Sequence, residues 1–244
     1  MPECAFCDHG GKLTAEHITG QWMNDLFVGP SVSRFGTSTS DSKEFKSGEL
    51  DFKAKVVCGT CNNTWMSDIE TNVKPILAPM IAGERAVPIT PEIARSIAVF
   101  AFKTAVIVDH MRRDEPFFPR RFRQAFRKSL FIPSFVNMWM CGFAGNRSKV
   151  RIKGIYHSGK TPDGLHLKMY ACTCAFGNFA FQVLSVFQSR SAEIYSAGRF
   201  KNIAVPLWPK SPPNFVWPYR EMLTSEDDFM DFSMRWQDLQ IFGA

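Results

Sequence analysis

Across residues 50–57 apolar and charged residues alternate (Leu-Asp-Phe-Lys-Ala-Lys-Val-Val), the period of a strand with one buried and one solvated face. Just beyond Cys61 the period lengthens. Trp65, Ile69 and Val73 recur at helical spacing behind the good cap residues Asn62, Asn63 and Thr64, so a helix is expected to begin there. Pro75 and Pro79 are expected to end or kink it, Glu70 and Lys74 to pair one turn apart, and Gly83 to close the unit. Upstream, residues 13–18 read as a short strand and residues 21–28 as a helical turn or two. Residues 36–43, dominated by Ser and Thr, have loop composition.

From Pro88 onward the pattern is different. Pro91-Glu92 opens a long helix to about Met111, with proline in its first turn. Its most apolar stretch, residues 96–108, contains Lys103 and is too short to span a bilayer, so it reads as a buried helix. Strand-like runs follow at 136–143, 150–156, 165–174 and 179–187, and Glu226-Asp227-Asp228 is placed to cap a last helix to about Leu239. The fold class is α+β. Residues 1–86 read as one small unit and residues 87–244 as a larger α+β domain.

Composition adds limits. With 45% hydrophobic and 21% charged residues, the chain has the make-up of an ordinary globular protein, and its 23 Phe predict an aromatic core. A net charge of +6 suits a polyanionic partner without requiring one. Met1 leads into Cys4 and Cys7 with no apolar leader, and cysteines in Cys-x-x-Cys pairs suit a reducing compartment. A cytoplasmic protein with no membrane association is the expectation.

The strongest chemical signal is the pair of knuckles, Cys4-x-x-Cys7 and Cys58-x-x-Cys61. Each tight turn can present two thiolates, and four complete a tetrahedral Zn²⁺ site with Zn–S distances of about 2.3 Å. Such an ion would close a unit too small to be stable alone. The same closure would draw Glu16-His17, between the knuckles, toward Asn62, directly after the second.

Cys4-x-x-Cys7, Leu13-Thr-Ala-Glu16-His17-Ile18 with Trp22 just beyond, and Val57-Cys58-Gly-Thr-Cys61-Asn62-Asn63-Thr-Trp65 together resemble an HNH endonuclease. The likeness is to the zinc-ribbon-supported, treble-clef-like form of the ββα-metal fold, and it covers the first 75 residues or so. It implies that His17 is the general base, that Glu16 and Asn62 hold a catalytic Mg²⁺ or Mn²⁺, and that DNA, or RNA, is cut to leave a 5′-phosphate. The sequence departs from the family in two places. Asp51 and Lys53 stand where many members carry a bracing asparagine, and Gly20 stands where a proline often follows the histidine.

Other candidates surround this set. Arg147, Lys149, Arg151 and Lys153 alternate with Ser148, Val150 and Ile152, a basic row on one strand face that could follow a phosphate backbone. The Arg- and Phe-rich segment from Arg112 to Phe131 could add a second basic surface. His9 reads as a solvated turn residue or a substitute zinc ligand, and Asp68 and Glu70 as helix-surface residues, with Glu70 able to reach a catalytic metal. Cys172 and Cys174 share a strand face, Cys141 is a possible third thiol, and burial in the core is the expected role. The sequence suggests no role for His157 or His166. Two readings compete with the nuclease: a non-catalytic zinc module that binds nucleic acid, and a zinc-stabilised scaffold for protein partners. Oligomeric state is not readable.

Overall fold

Residues 136–143, 169–176 and 179–187 are apolar almost without interruption because both faces of the sheet they form are covered. The structure is a computed structural model that describes residues 3–7, 12–18, 20–27, 31–36, 43–47, 53–111, 115–145, 149–160, 166–187, 192–195, 198–218, 221–235 and 240–243. The first part of the chain comprises β1 (Leu13–His17), a 3₁₀ turn (Gln21–Leu26), β2 (Ser31–Gly36), β3 (Lys43–Ser47) and β4 (Lys53–Cys58). Helical turns follow as α1 (Gly59–Cys61), a wider turn (Asn62–Met66) and α2 (Ser67–Ala82), then β5 (Val87–Ile89), α3 (Pro91–His110) and α4 (Arg120–Ser129). Next come β6 (Val136–Phe143), β7 (Lys149–Lys160), β8 (His166–Phe176), β9 (Phe179–Phe187) and β10 (Ala192–Tyr195). A 3₁₀ turn (Gly198–Lys201), β11 (Val205–Trp208), β12 (Phe215–Trp217), β13 (Met222–Leu223), α5 (Glu226–Met234) and β14 (Gln240–Gly243) complete the order. The fold is mixed α+β.

The main sheet runs β11-β6-β9-β8-β7-β2-β3, with β13 alongside β6. Its pairs are antiparallel except β2 with β7 and β13 with β6. Strands β2 and β3 come from between the two knuckles, so the N-terminal segment contributes to the same sheet as the later strands.

Side chains alternate across this sheet. Along β8, Tyr170, Cys172, Cys174 and Phe176 join the core that includes α3, whereas Met169, Ala171 and Ala175 join a second core containing Phe229 and Phe232 of α5. The apolar face of α3 is correspondingly broad, with Ile97, Phe100, Phe102, Val106 and Ile107 fully buried. No helix among the described residues is long and apolar enough to cross a membrane.

Helix α2 corrects one expectation. It does not end at Pro75 or Pro79, one of the two outcomes expected of them, but runs on to Ala82. Ile69, Val73, Leu77 and Met80, all buried, form the stripe that packs it against α3, and this packing outweighs the backbone bonds the prolines cannot make. Gly83 closes the helix at φ 68, where a Cβ would lie 2.3 Å from Asn178 Nδ2. Likewise, Glu70 does not simply face water beside Lys74. Its Oε1 lies 2.7 Å from Nζ of Lys103, which α3 buries completely. The last helix also ends earlier than expected, at Met234, and residues 236–239 lie outside the described residues.

Candidate metal centre and the strand beside it

The two knuckles come together. Sγ atoms of Cys4, Cys7, Cys58 and Cys61 all lie within 4.8 Å of one another, and all four residues are buried. Cys7 Sγ is 3.6 Å from Cys58 Sγ. Sulfurs at the corners of a tetrahedron about 2.3 Å from its centre would be about 3.8 Å apart, so this cluster could hold a metal ion such as zinc. The cysteines form no disulfide.

Local contacts build the cluster before any ion is considered. Ala5 N donates to Val56 O at 2.8 Å, strapping the first knuckle to β4, and Cys58 N donates to Cys4 Sγ at 3.3 Å. Burial pushes the Cys58 thiol up, but the Cys61 backbone and the neighbouring thiols outweigh it and bring it down to about 7. Burial pushes the Cys61 thiol well up, against the pull of the Trp65 indole. A thiol that ionises near neutrality suits a metal ligand.

Behind the knuckle lies an aromatic triad. Phe6 meets Trp65 at 5.0 Å between ring centroids, and Trp65 meets Phe126 of α4 at 5.7 Å, both edge to face. Arg123 of α4 donates from Nη1 to Ala5 O and from Nε to Phe118 O. The knuckle therefore sits on α4 as well as on β4.

β1 pairs antiparallel with β4, and the chain leaves β4 directly into the second knuckle and the helical turns. This gives a strand–strand–helix order around the cysteine cluster. Glu16 lies opposite Ala54 and His17 opposite Lys53, with the register shifting between Thr14 and Glu16. His17 is half-buried, and the side chain of Glu16 lies outside the described residues.

Asn62 departs from its expected place as a helix cap. Helical turns already begin at Gly59, and Asn62 has helical angles of φ -63 and ψ -50. The break comes at Thr64, at φ -115 and ψ -110. Insertions of this kind inside helices are frequent at functional sites. Nδ2 of Asn62 donates to Thr14 Oγ1 at 3.3 Å, and Thr14 Oγ1 donates to Val57 O at 3.1 Å. Because the Thr14 proton is committed to Val57, the hydroxyl turns a lone pair toward Asn62, which orients the amide with Oδ1 facing away from Thr14. The contact thus places Asn62 against β1 two residues before Glu16, about 7 Å along the strand.

Gly20 also gains a reason. Its φ is 69, a value closed to proline, and a Cβ there would lie 2.7 Å from Trp22 Nε1 and 3.0 Å from Glu70 Oε2. The turn after His17 is thereby packed onto the Glu70–Lys103 pair. Glu70 is held in that pair with Lys103.

The basic row on β7 needs correction. Arg151 is fully buried and Lys153 is 3% exposed. Their shared face exists but is buried, and at Arg151 it meets α5, where Nε donates to both carboxylate oxygens of Glu226 at 2.9 Å. Arg151 and Lys153 therefore offer no surface to a phosphate backbone. Arg147 and the side chain of Lys149 lie outside the described residues, as do His9, Asp51, Arg112 and Arg113.

Remaining candidates fall into place quickly. Asp68, His157 and His166 are exposed. Cys172 and Cys174 face each other at 3.9 Å within the α3-side core, whereas Cys141 lies in the other core, so the three do not converge. Three residues make contacts around the cluster and its neighbouring turns that the sequence does not announce: Thr14, Lys103 and Arg123. Only Thr14 carries a signal, a polar residue two places from Glu16 in a short strand.

No family model, curated protein or solved structure matches this chain.

Proposed function

We propose that this protein is a metal-dependent endonuclease of the HNH type that hydrolyses DNA phosphodiester bonds, with zinc on its four knuckle cysteines. The observation that carries the reading is the Asn62–Thr14 hydrogen bond, which ties the residue after the second knuckle to the strand that bears Glu16-His17. Support also comes from the β1–β4–helix order around four gathered thiols.

The donor chemistry fits two different ions. Four thiolates suit zinc, and a carboxylate with an amide oxygen suits a hard cation such as Mg²⁺ or Mn²⁺. In this reading Glu16 and Asn62 would hold the hard cation, which supplies Lewis-acid stabilisation of charge on the phosphate and leaving oxygen. His17, as neutral imidazole, takes a proton from the water that attacks phosphorus. The P–O3′ bond breaks as the new P–O bond forms, leaving a 5′-phosphate and a 3′-oxygen that is protonated from solvent. Thr14 holds the Asn62 amide by its nitrogen, which would leave the oxygen to serve as the cation ligand.

The test is cleavage of plasmid DNA with Mg²⁺ or Mn²⁺, followed by end-group analysis. Expected are 5′-phosphate and 3′-hydroxyl ends, dependence on the added cation, and loss of cutting in Glu16→Gln and Asn62→Ala. Cutting that persists in both variants would overturn the assignment of roles.

A further inference from the structure

Helix α4 holds five cations in ten residues and no carboxylate: Arg120, Arg121, Arg123, Arg127 and Lys128. Arg123 is turned inward, to Phe118 O and Ala5 O. Arg120, Arg121 and Lys128 are exposed and Arg127 is half-exposed. At about 100° per residue these four fall within an arc of about 120°, a single stripe. It extends about 12 Å along the helix axis, the length of three to four phosphates of one DNA strand at about 3.4 Å each.

The stripe is placed against the helix's own electrostatics. Arg120 and Arg121 occupy the first turn, where the helix dipole disfavours positive charge, and no acid stands there. The carboxylate paired with Arg120 is Glu3, at 3.3 Å, with both side chains largely exposed. Arg121 lies over the Phe122 ring, 5.0 Å from its centroid, and the two like charges sit in a disfavoured position whose cost a docked polyanion would offset. The apolar side of α4 is already used: Phe126 is buried and Phe122 packs on Phe135 at 5.0 Å. A membrane-surface helix needs an outward apolar face, which α4 does not offer. The Phe6–Phe126 contact and the Arg123–Ala5 bond fix this stripe to the first knuckle.

We infer that the face of α4 formed by Arg120, Arg121, Arg127 and Lys128 is a docking surface for a nucleic-acid phosphate backbone. That this backbone belongs to the substrate rests on the nuclease reading, but the binding does not. The surface contributes affinity and its salt dependence and takes no part in the chemistry.

The experiment measures binding of fluorescently labelled duplex DNA by anisotropy, across a salt series and with Mg²⁺ omitted. In the variant Arg120→Gln/Arg121→Gln/Arg127→Gln/Lys128→Gln, affinity should fall at least tenfold. The slope of log Kd against log salt should shrink by about 2 to 4. A single Arg121→Glu should weaken binding while leaving the melting temperature unchanged or higher, since it removes the clash with the dipole. Unchanged affinity and slope in the fourfold variant would overturn the inference, and so would binding of the native chain to anionic phosphatidylserine vesicles but not to DNA. His17→Ala should bind like the native chain. If the native chain binds DNA through this stripe yet never cuts it, the nuclease reading fails and the docking surface stands.

Discussion

Asn62 donates through Nδ2 to the hydroxyl of Thr14 at 3.3 Å, and the Thr14 hydroxyl in turn donates to Val57 O at 3.1 Å. This relay joins the helical turn after the second knuckle to the strand before it. Its removal should act on the cation more than on the fold. Thr14→Val should lower cleavage about 10- to 100-fold and raise the Mg²⁺ concentration for half-maximal rate, with a stability loss of about 1 kcal/mol. Thr14→Ser keeps the hydroxyl and should remain close to native. Equal cation dependence in Val and Ser variants would remove Thr14 from the site.

The cysteine cluster should carry one zinc per chain. Metal analysis of the purified protein should give that stoichiometry, and Cys58→Ser should lower it. With the ion lost, Phe6, Trp65 and Phe126 lose the closure that holds them together, so the melting temperature should drop by about 10 °C or more. A full-stability variant without metal would mean that the aromatic triad alone holds the knuckles.

Glu70 and Lys103 link α2 to α3 beneath the turn at Gly20. Removing the carboxylate leaves an ammonium in a fully buried position, so Glu70→Ala should cost roughly 3 kcal/mol in urea unfolding. Combining it with Lys103→Met should recover most of that loss. A small loss in Glu70→Ala alone would show that the pair contributes little.

His110 gives the protein a pH dependence. Burial, then the nearby charge of Arg123, hold it from the ordinary 6.5 down to about 4, while its Nδ1 lies 3.0 Å from Val106 O. Below pH 6.5 the unfolded chain takes up a proton that the folded chain refuses until about pH 4. Stability is therefore full above 6.5 and declines as pH falls through that window, by roughly 3 kcal/mol. His110→Gln, whose amide can still donate to Val106, should flatten this part of the profile. An unchanged slope from pH 7 to 4 would assign the acid sensitivity to other groups.

Much of this arrangement is legible in the sequence, and the failures have physical causes. The knuckles, β1, β4 and α3 are legible because spacing and period are local properties. The basic row on β7 is visible too, but period two reads the same whether water or a helix covers the face. The helix that meets Arg151 starts at Glu226, 75 residues beyond it. For the same reason Glu70 reads as a surface residue until α3 brings Lys103 to it. Pro75 and Pro79 mislead about where α2 ends because their local penalty is outweighed by packing that only the tertiary fold supplies. Arg123 and Arg121 are alike in sequence, and only the docking of the knuckle separates the inward arginine from the outward one.

Cleavage of supercoiled plasmid by the native chain and by His17→Ala, matched for folding and zinc content, tests the central claim most directly. The account predicts divalent-cation-dependent cutting by the native protein and at least a hundredfold loss in the variant, with DNA binding retained. Equal cutting by both proteins, or none by either across duplex and single-stranded substrates, would contradict it.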